Sequence, residues 1–254
     1  MIEFQSVTKI YGEKTALDHL NLKVESGEIL GLIGHNGAGK STTIKSLVSV
    51  IQPTSGEIFV DGQALTENRL AIKKKIGYVA DSPDLFLRLT ANEFWELLAT
   101  AYDMTATDCE ERLIELMELF DFSEHRYEVI ESFSHGMRQK VFVIGALLSN
   151  PDIWVLDEPL TGLDPQAAYD LKQLMRRHAD EGNTVLFSTH VLEVAEQICD
   201  RIAILKKGQL IYYGTIEDLK ALHPEQSLES IYLGLAGRKE EAEQLLEEVS
   251  NYEA

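Results

Sequence analysis

The sequence is poor in cysteine and has no long uncharged stretch. Its two cysteines, Cys109 and Cys199, lie 90 positions apart without the spacing of metal ligands, so we expect two reduced thiols. No stretch free of Asp, Glu, Lys and Arg exceeds 11 residues, whereas a membrane-spanning helix needs about 20 apolar residues. The first four residues lack the basic and apolar regions of a secretory signal. These absences argue against a disulfide scaffold and a membrane-spanning chain, and they predict a cytoplasmic location.

Basic residues are also few. The 254 residues include 23 Lys and Arg against 42 Asp and Glu, and the resulting net charge of −19 argues against a nucleic-acid partner because it repels phosphate backbones. Between Ala91 and Glu131, 12 acids stand against two bases, and from Glu217 to the end ten acids stand against three bases. The first segment is either a solvated helical face or a surface for a basic partner. The second segment is expected to be a solvated, helical tail.

Hydrophobic periodicity predicts an α/β chain with an inserted helical region. A helix is expected from Gly39 through Ser49, because its apolar residues recur at helical spacing and Pro53 follows. Residues 83–150 are predicted to be nearly all helical, whereas the later apolar runs each follow a helix, as buried parallel strands do. Strands are predicted at Ile2–Phe4, Ser6–Ile10, Ile29–Ile33, Glu57–Val60, Ile76–Val79, Ile153–Leu156, Val185–Phe187 and Ile202–Leu205.

A phosphate-loop pattern lies between the predicted strand that ends at Ile33 and the predicted helix: Gly34 to Ser41 read Gly-His-Asn-Gly-Ala-Gly-Lys-Ser. Glycines let backbone N–H groups surround an anion, and the helix N-terminus adds partial positive charge. Lys40 is expected to reach the terminal phosphates and the Ser41 hydroxyl to ligate magnesium. The loop predicts a nucleoside triphosphate site but leaves GTPases, kinases and ATPases open. Its nucleotide-binding positions are Asn36, Gly37, Ala38, Gly39, Lys40, Ser41 and Thr42.

Two carboxylates, Asp157 and Glu158, follow the apolar run Ile153–Leu156. They come at the strand edge where open α/β sheets keep their ligand sites. We expect Asp157 to hold the magnesium shell and Glu158 to accept a proton from the water that attacks the γ-phosphate. The alternative is a pair of capping acids before Pro159.

A third motif makes the interpretation specific. The run Phe-Ser-His-Gly-Met-Arg-Gln-Lys, which places Ser134 23 residues before Asp157, resembles the signature motif of ABC-type ATPases. The remaining motifs of that family occur in order, at Tyr11, Asp81, Thr161 to Pro165 and His190. The resemblance covers residues 2 to about 216.

The resemblance implies an α/β fold with a P-loop NTPase (RecA-like) core, an N-terminal antiparallel β subdomain and an inserted α-helical subdomain. Residues 1–254 are then a single ABC ATPase domain. Its ATP-binding core comprises residues 1–82 and 151–216, its helical signature subdomain residues 83–150 and its C-terminal helical tail residues 217–254.

The resemblance also implies that two copies meet head to tail and share two ATP sites. Ser134 and Gly136 of one copy would face the γ-phosphate that the phosphate loop of the other copy holds. Tyr11 would stack on adenine, His190 would contact the γ-phosphate and position Glu158, and Asp164 would link the two sites across the dimer. The implied catalytic residues are Glu158, His190 and Lys40, and the implied ligands of Mg²⁺ are Ser41, Asp81 and Asp157.

The residues themselves leave three of these roles open. Tyr11 has equally the pattern of a half-buried tyrosine at a strand end. His190 has the position of a structural histidine after a strand, and Asp164 that of a helix cap before a new helix.

The sequence departs from the usual family pattern in two places. The signature commonly reads Leu-Ser-Gly-Gly-Gln, and here only Ser134 and Gly136 of those five are kept. The His-Gly-Met-Arg-Gln form resembles that of bacterial exporter ATPases. Asp81 stands where most members have glutamine, and we expect it either to raise the pKa of a nearby carboxyl group or to tighten the hold on magnesium.

Taken together, the resemblance implies the separate ATP-binding and ATP-hydrolysing subunit of an ABC transporter, in form an exporter. ATP would close a homodimer, or a heterodimer with a sister subunit, and drive separately encoded integral membrane subunits from the inner face of the cell membrane. The coupling surface is expected at Asp81 to Leu89 and the acidic helices that follow. The alternatives are a soluble ABC-type regulatory ATPase acting on a protein partner and a binding module with dead chemistry, although the motif residues for hydrolysis are all present.

Overall fold

Two β-sheets organise the chain in the computed structural model, which describes residues 1–81, 86–222, 224 and 226–235. The strands are β1 (Ile2–Tyr11), β2 (Lys14–Val24), β3 (Ile29–Ile33), β4 (Ser55–Val60), β5 (Gln63–Ala64), β6 (Ile76–Val79), β7 (Ile153–Asp157), β8 (Thr184–Thr189), β9 (Arg201–Lys206) and β10 (Gln209–Gly214). An antiparallel sheet has the order β2-β1-β4-β5. The second sheet has the order β10-β9-β3-β8-β7-β6 and is parallel except for the pair of β10 with β9.

Helices cover both faces of the six-stranded sheet. They are α1 (Lys40–Leu47), α2 (Arg69–Lys74), α3 (Ala91–Ala101), α4 (Ala106–Leu119), α5 (His135–Leu147), α6 (Pro165–Asp180), α7 (Leu192–Ile198), α8 (Ile216–Leu222) and α9 (Leu228–Leu235). The fully buried strand β3 shows how the layers divide: Leu30 and Leu32 pack with α1 and the antiparallel sheet, whereas Ile29 packs with the core of α3 to α6. Alternate side chains of one strand therefore serve two hydrophobic cores.

Parallel pairing brings three strand ends to one edge of the sheet. Ile33 at the end of β3 is in register with Thr189 at the end of β8, and Asp157 at the end of β7 is in register with Ser188. The loop after β3, the carboxylates after β7 and His190 after β8 therefore meet at the carboxyl edge, as the sequence predicts for an open α/β sheet.

The N-terminal sheet differs from the sequence prediction. The predicted strands Ile2–Phe4 and Ser6–Ile10 are one strand, β1, which bends at Ser6 with a φ of 48°. The strand β2 was not predicted, because His19, with a φ of 48°, interrupts the two-residue alternation of its buried side chains. A bulge in each strand therefore hides the period on which sequence analysis depends.

The predicted helical insertion is confirmed over the part that the structure describes. Residues 91–147 contain α3, α4 and α5, with 3₁₀ turns at Ser123–His125 and Ile130–Ser132, while residues 82–85 lie outside the described residues. The phosphate-loop helix is also confirmed, although it ends at Leu47 and not at Ser49. Both cysteines are free. No helix of the described residues has the length and apolar character that crossing a bilayer requires.

The prediction of a helical tail from Glu217 is confirmed for residues 217–222 and 228–235, but the prediction that this tail is solvated is wrong for one face of the two helices. Ile216, Leu219, Leu228 and Ile231 are buried in a third hydrophobic cluster, beside apolar residues of β9. The reason is that these four residues recur at helical spacing, which turns one face of α8 and α9 toward the sheet despite the high acidic content. Residues 236–254 lie outside the described residues.

A buried aromatic stack lies near the start of β7, opposite the end that carries Asp157. The rings of Trp154 and His178 lie 3.8 Å apart, centroid to centroid, and are nearly parallel at 10°. Both side chains are 2% exposed, and burial lowers the pKa of His178 to about 4. His178 is therefore neutral in the folded protein at neutral pH.

We expect the stack to make stability depend on pH. The unfolded chain binds a proton at His178 near pH 6.5 and the folded chain only near pH 4, so stability is lost as the pH falls through that window. The contribution of His178 to the free energy of unfolding should fall by about 2 kcal/mol between pH 7 and pH 5. Urea denaturation of wild type and His178→Gln at both pH values measures it, with the exposed His19→Gln as control. Parallel pH dependence of wild type and His178→Gln would contradict this account.

Candidate nucleotide-binding and hydrolysis site

The phosphate-loop sequence forms a tight loop between β3 and α1. α1 begins at Lys40, and Gly39 before it has a φ of 117°, which only glycine adopts without strain. A side chain there would also come within 3.0 Å of the Ala16 carbonyl oxygen. The loop therefore brings its backbone close to β2 and leaves the N-terminal N–H groups of α1 pointing into the space above it.

Lys40 is held inside this loop and not in solvent. Its side chain is 6% exposed, and its ammonium group donates to the Gly34 carbonyl oxygen at 2.6 Å. The same nitrogen lies 3.4 Å from Oε1 of Glu158. The cation is therefore fixed where the phosphate loop meets the end of β7.

A hydroxyl group organises the two carboxylates at the end of β7. Ser188 Oγ donates to Asp157 Oδ1 at 2.6 Å and accepts from the Glu158 backbone N–H at 3.0 Å. Ser188 was not among the residues predicted from the sequence, although a hydroxyl residue near the end of a buried neighbouring strand was a usable signal. Ser188 thus fixes both the carboxylate of Asp157 and the backbone that carries Glu158.

Glu158 lies between a cation and an imidazole. Its Oε2 is 2.9 Å from His190 Nδ1 on one side, and its Oε1 faces Lys40 on the other. Its φ of 52° is unusual for a residue with a side chain and costs of order 1 kcal/mol, which the surrounding contacts must offset. The structure thus brings Lys40, Glu158 and His190 together, and such strain is typical of functional positions.

These groups line a cavity of about 430 Å³. Of the sequence-predicted site residues, ten line it: Tyr11, Asn36, Gly37, Gly39, Lys40, Ser41, Thr42, Asp81, Glu158 and His190. Lys14 and Ala16 line it as well and were not predicted, and so do His35 and Thr161, which lie in the predicted motifs but were not named as site residues. Tyr11 is 47% exposed at the rim, with the Lys9 ammonium 5.0 Å from its ring centroid. Ala38, within the loop, is buried and does not line the cavity, and its carbonyl oxygen accepts from the Gly208 N–H at 2.9 Å.

Ser134, Gly136 and Asp164 do not line this cavity. Ser134 caps α5, and its hydroxyl oxygen accepts from the Met137 N–H at 3.3 Å. Asp164 caps α6 by accepting from the Ala167 N–H at 2.9 Å and forms an ion pair with Lys140 at 2.9 Å. These two contacts hold the pKa of Asp164 below its usual value. Within one chain, Asp164 is therefore the helix cap that the sequence offered as an alternative.

One buried oxygen atom, Oδ2 of Asp157, indicates whether the site suits a magnesium ion. Asp157 is fully buried, and its Oδ2 has no hydrogen-bond partner among the described residues. A buried, unpaired carboxylate oxygen is costly unless a cation or its bound water satisfies it. Ser41 and Asp81 carry oxygens at the cavity wall, whereas Asp157 itself is buried behind the wall and does not line the cavity. The donor set is all oxygen, which suits Mg²⁺.

The chain matches known proteins over most of its length. The family model for the ABC transporter matches residues 17–161. The linearmycin resistance ATP-binding protein LnrL of Bacillus subtilis (strain 168) is 34% identical over 219 residues, 86% of this chain and 70% of that protein. The bacitracin transport ATP-binding protein BcrA of Bacillus licheniformis is 35% identical over 221 residues, 87% of this chain and 71% of that protein.

Solved structures agree with the sequence relatives. An ATP-binding subunit of an ABC transporter superposes with a TM-score of 0.87 at 33% identity, covering 92% of this chain and 99% of that one. A dimeric post-hydrolysis state of the ATP-binding cassette MJ0796, bound to ADP and Pi, superposes with a TM-score of 0.77 at 29% identity, covering 85% of this chain and 99% of that one. The chain belongs to the ABC transporter family, in which it is an ATP-binding and ATP-hydrolysing subunit.

Proposed function

We propose that this subunit powers an exporter and that Glu158 is the base for ATP hydrolysis. The observation that carries the assignment of the base is the position of the Glu158 carboxylate between two partners, 3.4 Å from Lys40 Nζ and 2.9 Å from His190 Nδ1. Lys40 would neutralise charge on the β- and γ-phosphates, and Glu158 would take the proton of the attacking water. His190 would hold the Glu158 carboxylate in place from the side away from Lys40.

Ser41, Asp81 and Asp157 are the residues proposed to hold Mg²⁺. The unpaired Oδ2 of Asp157 supports this assignment. When bound, the ion would neutralise the negative charge that develops on the phosphate oxygens during hydrolysis. In this arrangement Ser188 orients the Asp157 carboxylate through its hydrogen bond to Oδ1.

We infer a dimer in which each ATP lies between two copies or between this chain and a sister subunit. Ser134 and Gly136 stand at the N-terminus of α5 but outside the cavity of their own chain. A helix N-terminus with an exposed hydroxyl suits a phosphate, so a partner's nucleotide is the ligand that fits. The dimeric state of the related cassette supports this inference.

The proposed partners for coupling are integral membrane subunits at the inner face of the cell membrane. An apolar groove of about 310 Å³ lies between α2 and α3, with Leu70 78% exposed and Val50 61% exposed on its walls. Tyr78 lines the groove three residues before Asp81, which lines the nucleotide cavity. A partner segment bound in this groove would therefore contact β6 close to its end, three residues before a residue that lines the nucleotide cavity. The coupling stretch proposed from the sequence, Asp81 to Leu89, includes residues 82–85, which lie outside the described residues.

Export is inferred from two relatives named for linearmycin resistance and bacitracin transport. Both are similar to this chain at 34–35% identity. Inverted membrane vesicles, whose nucleotide sites face outward toward added ATP, test the direction: an exporter accumulates substrate inside such vesicles.

Lys40→Ala is expected to weaken ATP binding about tenfold or more, because the phosphates lose a charge-assisted donor held at the loop. Titration calorimetry with ATP and magnesium measures the affinity. Lys45→Ala removes an exposed lysine from the same helix and should leave affinity unchanged. ATP affinity of the Lys40→Ala protein equal to that of wild type would remove Lys40 from the site.

Asp81→Gln is expected to leave ATP affinity within about twofold and to change the magnesium and manganese dependence of turnover, since a carboxylate at the cavity wall is replaced by a neutral amide. Turnover is measured against metal concentration for both proteins, with Asp121→Asn as control. Superimposable metal titrations would show that Asp81 has no part in holding the ion.

Glu158→Gln is expected to lower turnover by about 100-fold or more while ATP stays bound, because the amide cannot accept the proton but keeps the size of the side chain. Removing one negative charge from each facing site should also favour the ATP-bound dimer. Phosphate release and light scattering after size-exclusion chromatography measure the two effects, with the exposed Glu193→Gln on α7 as control. Turnover like that of wild type would show that Glu158 is not the base.

A further inference from the structure

Helix α5 is fastened to the segment that follows Glu158. The buried side-chain amide of Gln139 donates to the Pro159 carbonyl oxygen at 3.2 Å. One residue further along α5, the Lys140 ammonium pairs with Asp164 at 2.9 Å. At the start of the helix, a side chain on Gly136 would come within 2.4 Å of the Gly162 carbonyl oxygen, so the two backbones are in direct contact. The first turns of α5 therefore hold residues 159–164 along their whole length.

The Gln139 contact lies next to the proposed base. Pro159 is buried, and the Gln139 amide is the one hydrogen-bond donor to its carbonyl oxygen among the described residues. Without that donor a buried carbonyl would be left unpaired, which favours displacement of the segment toward another donor or water. Glu158 precedes Pro159 directly, so such a displacement would move the Glu158 backbone.

Glu158 has little tolerance for that movement. Its backbone has the strained φ of 52°, and its N–H is fixed to Ser188 from one side. Its carboxylate must meet Lys40 at 3.4 Å and His190 at 2.9 Å together. A shift of about 1 Å is enough to cost a large part of the rate in a positioned proton transfer.

We propose that Gln139 is a positioning residue for hydrolysis, which holds Glu158 in place through the Pro159 carbonyl. The proposal rests on the proposed role of Glu158 as the base. Because Ser134 caps α5 and Gly136 lies in its first turn, the same helix would contact the partner's nucleotide. Gln139 thereby links contact with the ATP of one site to the base of the other.

The first test separates positioning from folding and from binding. Gln139→Met keeps the length of the side chain and removes its donor, and kcat should fall about tenfold while ATP affinity and the unfolding temperature change little. The matched control is Gln197→Met, an exposed glutamine on α7. Should Gln139→Met not accumulate as folded protein, Gln139→Leu removes the same donor with a smaller side chain.

The second test asks whether Gln139 acts through Glu158. In a Glu158→Gln background, adding Gln139→Met should change the residual turnover less than twofold, because residues that act as one unit are not additive. A full tenfold loss in both backgrounds would overturn the proposal, as would unchanged kcat in the single variant.

The third test determines which of the two sites is affected, in dimers purified through two different tags. In the first dimer, a Gln139→Met chain is paired with a Lys40→Ala chain. Its one working phosphate loop belongs to the Gln139→Met chain, whose own segment after Glu158 has lost the donor from Gln139. ATP turnover by this dimer should be slow. In the second dimer, a chain that carries both Gln139→Met and Lys40→Ala is paired with wild type. The working phosphate loop then belongs to the wild-type chain, and the altered α5 faces its nucleotide. Turnover should equal that of a dimer of wild type with Lys40→Ala. The reverse order would assign the effect to the signature end of α5 and overturn the proposal. If the Glu158→Gln protein itself turned over ATP at the wild-type rate, that result would instead count against the proposed role of Glu158 as the base.

Discussion

The parallel pairing of β3, β8 and β7 is the constraint on which the site depends. It places the phosphate loop, two carboxylates and His190 at one edge of the sheet, where α1 begins. This placement brings the carboxylates after β7 close to the bound phosphates. Their repulsion is unfavourable unless cations and hydrogen-bond donors lie between them. Lys40 between the loop and Glu158, and Ser188 on Asp157, supply that compensation. The arrangement is stable because each carboxylate is fixed by a partner from a neighbouring strand or loop.

Contiguous motifs were predictable from the sequence, and contacts between distant segments were not. Gly34 to Ser41 fold as predicted because the glycine pattern, the preceding strand and the following helix all lie within one stretch. Ser188 was missed because its role comes from the register of β8 with β7, a long-range pairing. β2 was missed because a bulge at His19 breaks its alternation. Gln139 lies within the signature run, yet its contact with Pro159 depends on how α5 packs against the loop after β7.

Charge is distributed in a way that the total of −19 does not reveal. Acidic residues of the helical insertion are mainly exposed and stay in solvent, as in Glu111 and Glu118 of α4. In contrast, the groove between α2 and α3 has Lys73 and Lys74 among its lining residues. A basic partner segment therefore suits the acidic helices, whereas an apolar segment with acidic flanks suits the groove.

Asp164 illustrates how one side chain can serve both the fold and a contact between copies. Its Oδ1 caps α6 and its Oδ2 pairs with Lys140, so both oxygens already have partners within the chain. A carboxylate offers about four acceptor positions, so these bonds leave capacity for a donor from a second copy. The cap and the lysine also keep the pKa of Asp164 low, and the group stays ionised at neutral pH. The helix cap and the proposed link across the dimer are therefore compatible, since the contacts that stabilise α6 also orient the carboxylate that a partner would meet.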